Sequence, residues 1–176
     1  MNLQQNKRLV VRTFGTFEVL LDGDVLPFEH QTLGKELLAL LVAARGYKIT
    51  AVAAYSFIAR GHGFGRGYIQ YDGNYYRNCL RQLISELERV NMRHVLIATD
   101  TPIRNCFINT SYFDCDYYRH LDGVEIQPHA KERFLEGYAW GRDLFCEDSA
   151  ALGLWWNAMA QDRNYWPNLI KLQKNR

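Results

Sequence analysis

The chain contains no run of 18 apolar residues, so nothing in it has the length and hydrophobicity of a membrane-spanning helix. Its start, Met1 to Arg8, lacks the apolar segment of a secretory signal, and a cytoplasmic location is expected. Four cysteines (Cys79, Cys106, Cys115 and Cys146) form no Cys-x-x-Cys pair, which excludes the usual spacing of structural zinc and favours free, buried thiols in a reducing compartment. The glycine-rich stretch from Arg60 to Gly73, with five glycines in fourteen residues, lacks the Gly-Lys-Ser/Thr ending of a phosphate-binding loop and follows no strand. There is no nucleophile elbow, no metal signature, no internal repeat and no low-complexity tract. No catalytic residue, metal or cofactor is therefore expected, and an enzyme is the least favoured class.

What is present is a chain of 176 residues with 48% hydrophobic composition, enough for one domain or two small ones with a substantial core. The formal charge is only +2, but it is unevenly spread. Residues 60–104 carry seven basic and four acidic side chains, and every one of the seven is arginine. Residues 105–176 carry eight basic and ten acidic. The middle of the chain thus holds the cations best suited to bidentate contact with phosphate or guanine, in an excess too small for strong non-specific DNA affinity.

The most informative segment runs from Asn74 to Val90. Tyr76, Leu80, Leu83, Leu87 and Val90 recur at steps of three and four, which marks one side of a helix as buried. The opposite side carries Arg77, Asn78, Arg81, Gln82 and Ser85. These are either readers of base edges and phosphates or a solvated helix surface. Two short β-prone runs follow, His94 to Ala98 and Cys106 to Asn109, around the turn-rich segment Thr99 to Asn105. Upstream, Leu9 to Phe28 reads as a small antiparallel sheet with a hairpin at Asp22-Gly23. A helix is expected over Leu33 to Arg45, with Leu33, Leu37, Leu40, Leu41 and Ala44 on one face and Gly46 as its cap. A second is expected over Ala51 to Ala59 behind an N-capping Thr50.

That order, together with Thr13-Phe14-Gly15-Thr16-Phe17-Glu18-Val19, Lys35-Glu36-Leu37-Leu38-Ala39-Leu40-Leu41-Val42, Asn78 to Leu87, and Phe113-Asp114-Cys115-Asp116 through Leu121, resembles the OmpR-type winged-helix regulators that carry a bacterial transcriptional activator domain, the antibiotic-regulatory-protein group. The resemblance covers about residues 9–121. It implies an α+β fold: a winged helix-turn-helix at residues 1–110, and a short helical C-terminal region at 111–176. It further implies transcription regulation through double-stranded DNA, with RNA polymerase as a partner and a homodimer as the binding unit. Helix 74–90 would enter the major groove through Arg77, Asn78, Arg81, Gln82 and Ser85, with Arg104 at the hairpin tip in a minor groove or on phosphate and Arg60 and Arg66 in the glycine-rich loop on phosphate; the alternative for these three is a solvated loop arginine. No receiver domain precedes Met1, so control by phosphorylation of the response-regulator kind is not expected. The alternative is a protein-interaction module that keeps the shape and has lost DNA binding, which Glu86 and Glu88 at the end of the helix and the modest charge would permit.

His62 and His94 are expected as ordinary surface or hairpin residues rather than ligands. Asp114 and Asp116 are expected to be structural, at a junction between the two regions. The aromatic residues crowding the last third, among them Tyr112, Phe113, Tyr117, Tyr118, Tyr138, Trp140, Trp155, Trp156, Tyr165 and Trp166, are expected to be mostly core, with a remainder exposed for self-association.

Overall fold

The computed structural model describes residues 7–62, 71–98 and 105–161, apart from the side chains of residues 60, 61, 160 and 161. The fold is α+β. Three strands open it: β1 (Leu9–Arg12), β2 (Glu18–Leu21) and β3 (Asp24–Val25), joined antiparallel. The Asp22-Gly23 turn has φ of +53° and +89°, the double left-handed geometry that reverses a strand in two residues. Three helices follow: α1 (Thr32–Ala43), α2 (Ala51–Gly61) and α3 (Gly73–Arg89). A two-stranded antiparallel hairpin, β4 (Leu96–Ala98) and β5 (Cys106–Ile108), comes next. Ile49, in the α1–α2 connection, pairs with Cys106 through two backbone hydrogen bonds of 3.0 and 3.1 Å, which anchors the hairpin to the helices.

α1 departs from the one-sided helix expected. Every residue from Leu37 to Ala44 is fully buried. The sequence Leu-Leu-Ala-Leu-Leu-Val-Ala-Ala is apolar all round, and such a helix belongs in the centre of a core. α3 packs on one side of it. A Cβ at Gly34 would lie 2.6 Å from the Leu83 amide nitrogen, so only glycine lets the two helix backbones approach this closely. Elsewhere around α1, residues from the end of the chain contribute. The Tyr118 hydroxyl donates to the Val42 carbonyl at 2.9 Å, and the Trp140 indole donates to the buried Glu36 carboxylate at 2.8 Å.

The C-terminal segment differs most from expectation. It is not wholly helical: after a 3-10 turn at Thr110–Tyr112 comes β6 (Phe113–Cys115), which lies parallel to β1 and gives a four-stranded sheet in the order β3-β2-β1-β6. The boundary expected near residues 109–112 is therefore bridged by a sheet. α4 (Asp116–Leu121) follows directly. Asp116 accepts from the Thr13 amide at 2.9 Å, the Thr13 hydroxyl at 2.6 Å and the Phe14 amide at 3.3 Å, which makes it the structural aspartate expected. Asp114 instead pairs with Arg119. Residues 133–136 then run back along residues 13–16, with Gly15 donating to Arg133 and Leu135 to Thr13. After Pro128 comes a single helical turn, α5 (Ala130–Arg133), followed by α6 (Gly141–Leu144) and α7 (Ser149–Gln161).

The aromatic load is largely absorbed by this cross-stitching. Phe14 meets Tyr117 and Phe134 at centroid distances of 6.2 and 6.0 Å, and Phe57 meets Trp140 at 6.3 Å. Among the described residues of the last third, the large hydrophobic side chains left exposed are Val124, Ile126 and Leu154, none of them aromatic. Among the described residues the aromatic side chains of the last third thus enter a shared core rather than an exposed patch. Tyr165 and Trp166 lie outside the described residues.

Candidate nucleic-acid interface

α3 starts one residue before the expected position. Asp72 caps it, accepting from the Asn74 and Tyr75 amides at 2.9 and 3.2 Å. Of the predicted inward stripe, Tyr76, Leu80, Leu83 and Leu87 are buried, with Cys79 beside them, while Val90 lies just past the helix as its C-cap and is half-buried. The Tyr76 hydroxyl lies 3.2 Å from the Cys106 thiol, which ties the helix to β5 of the hairpin. Burial pushes the Cys79 thiol up to about 12 and that of Cys106 up to about 11, so both are protonated and inert as nucleophiles near neutral pH.

The polar side divides into two halves. In the first, Arg77 and Arg81 are exposed and Asn78 is half-buried. Each arginine is held by an asparagine three residues earlier: Arg77 donates to the Asn74 side-chain oxygen, and Arg81 to that of Asn78 at 2.7 Å. Asn74 was not singled out from the sequence, although the signal is there: Asn74-Tyr-Tyr-Arg77 is followed at once by Asn78-Cys-Leu-Arg81, a tandem Asn-x-x-Arg. An open cleft of about 430 Å³ lies at this end of the helix, lined by Tyr55, Tyr71, Asp72, Gly73, Asn74 and Arg77.

In the second half the polar groups are engaged within the protein. Gln82 accepts from the Gly34 amide at 3.1 Å, satisfying one of the unpaired donors at the start of α1. Ser85 accepts from the Gln31 side chain at 3.3 Å. Glu86 is not the exposed acid it looked in sequence: it is 3% exposed and gripped by Arg89 through two hydrogen bonds of 2.5 and 3.1 Å. The guanidinium of Arg89 is raised by that hydrogen bonding and by the Glu86 charge. Glu88 alone remains an exposed carboxylate at this end of α3.

The other candidates fall elsewhere. Arg104 and Arg66 lie outside the described residues, as does the side chain of Arg60 at the end of α2. His62 is not a plain surface residue: its Nε2 lies 2.6 Å from Glu36, the carboxylate that also holds Trp140. His94 packs edge-on against Tyr112. A larger open groove of about 710 Å³ is lined by Arg45, Tyr47, Ile97, Phe107 and Leu152 among others, and by no residue of α3. Among the described residues no helix is long and apolar enough to cross a membrane, and no cluster of ligating side chains could hold a metal. No protein-family model, no curated protein and no solved structure gives a significant match to the chain.

Proposed function

We propose that the chain is a sequence-specific DNA-binding transcriptional regulator of the OmpR-like winged-helix kind, with α3 as its major-groove reader and the β4–β5 hairpin as its wing. One observation carries this reading: α3 is seated on α1 by one side and turns two asparagine-held arginines outward from the other. A seated helix with an exposed Arg/Asn side is what a groove reader requires. The pairing of Ile49 with β5, which joins the α1–α2 connection to the hairpin, supports the same topology. The internal pairing of Glu86 with Arg89 removes one of the two carboxylates that would repel phosphate.

Selection on random duplex DNA at low and moderate salt is the test. A recovered motif, with affinity falling as salt rises, is expected. Recovery of no motif, with no binding even at low salt, would end the reading.

A protein-interaction module is the second reading. It is favoured by the outer side of α7, where Ala150, Ala151, Leu154 and Ala158 are exposed on a helix without a charged residue. On the first reading this side serves a homodimer or a contact with RNA polymerase. Sedimentation at micromolar concentration, with Leu154→Glu as the variant, separates a self-associating surface from an inert one.

A further inference from the structure

We infer that the two Asn-x-x-Arg units of α3 read two guanines lying two base steps apart on the DNA, an inference that rests on the DNA-binding reading above. Three observations lead there. The first is the division of the helix: Gln82, Ser85 and Glu86 spend polar atoms on α1, on Gln31 and on Arg89, so sequence reading is confined to the half from Asn74 to Arg81. That half is also the N-terminal one, whose end is favoured at base edges.

The second is the chemistry of each pair. An arginine carries five N–H donors and no acceptor, and one donor goes to the asparagine oxygen. The remaining fork matches the O6 and N7 acceptors of guanine. The Asn78 oxygen keeps a second lone pair beside the one that Arg81 uses, but Asn78 is half-buried whereas Arg81 is exposed, so the arginine fork is the group presented to a base edge, and that fork matches guanine rather than adenine. Holding each guanidinium in place before DNA arrives also lowers the rotamer entropy lost on binding.

The third is spacing. Four residues of helix advance about 6 Å along its axis, against 3.4 Å per base step along one DNA strand. Two identical units four residues apart therefore meet bases about two steps apart.

The full chain is selected on random duplex DNA, and the recovered site is then titrated with Arg77→Lys, Arg81→Lys and wild type. A motif with two guanines separated by one base pair is expected. Each lysine variant should relax one of them about tenfold to a hundredfold while keeping the salt dependence, because an ammonium retains the charge but lacks the fork. A second arm needs no variant: 7-deazaguanine at either position, which removes the N7 acceptor, should weaken wild-type binding. A recovered motif with other bases there, or guanine preferences untouched by both lysine variants and by 7-deazaguanine, overturns this inference and leaves DNA binding standing. Recovery of no motif at all overturns both.

Discussion

The two halves of α3 both carry polar side chains outside the buried stripe but put them to different uses. From Asn74 to Arg81 the outward polar groups bind one another in local pairs and, Asn78 being half-buried, leave both arginines exposed. From Gln82 to Arg89 they reach into α1, the segment before it and the helix's own last turn. Polar residues on the outside of an amphipathic helix are thus not a single class. Where a second helix approaches closely, they cap and clamp; where none does, they are available to a ligand. The dividing line falls at Gly34, the point at which α1 comes nearest.

That contrast can be broken in order of expected effect. Gly34→Ala should be the most damaging, destabilising the protein by about 3 kcal/mol in denaturant unfolding, because the added methyl meets backbone rather than a yielding side chain. A loss under 1 kcal/mol would mean that the helices are not locked together there. Next comes alkaline pH. The Cys79 thiol is raised from its ordinary 9.0 to about 12 by burial, so above pH 9 the unfolded chain gives up a proton that the folded chain keeps. The associated stability is fully present below pH 9 and drains away toward pH 12, and the unfolding midpoint should fall across that window. A Cys79→Ala variant should show a shallower fall. Gln82→Ala should lower stability by about 1 kcal/mol, as loss of a helix cap does, and leave base preference unchanged. A changed base preference would place Gln82 among the readers after all. Ser85→Ala should be the smallest, at about 0.5 kcal/mol or less, since its bond to Gln31 is long and exposed.

Much of this was legible from local pattern. The stripe Tyr76, Leu80, Leu83 and Leu87, the Asp22-Gly23 reversal and the Thr50 cap follow from period and turn chemistry, and the structure carries all three. What escaped was set by distant partners. Glu86 lies three residues after Leu83 and four before Val90, on the edge of the buried stripe, but only the packing around α3 closes over its carboxylate. Phe113–Cys115 names no pairing partner in the sequence, and only the fold brings β1, about a hundred residues earlier, alongside it. By spacing alone α1 reads as one-sided, with Leu33, Leu37, Leu40, Leu41 and Ala44 on one face, whereas its cover on further sides comes from Tyr118 and Trp140, far along the chain. The candidate site was partly legible. Arg77 and Arg81 are where the pattern puts them, and their asparagine holders stand at a tandem Asn-x-x-Arg spacing whose meaning comes from the hydrogen bonds.

The parallel pairing of β1 with β6 also bears on how the molecule is made. Thr13 and its partner Asp116 are 103 residues apart in sequence. At a synthesis rate of about 5–20 residues per second, β2 is available to β1 within a second or two, whereas β6 follows only after roughly 5–20 s. During that interval the Leu9–Arg12 strand has one edge without its neighbour, a template for pairing with other chains. The same long separation makes this contact a late and slow one by loop-closure entropy. A nascent chain halted before Asp116 should therefore be the aggregation-prone species, and one extended through Leu121 the first able to close the sheet.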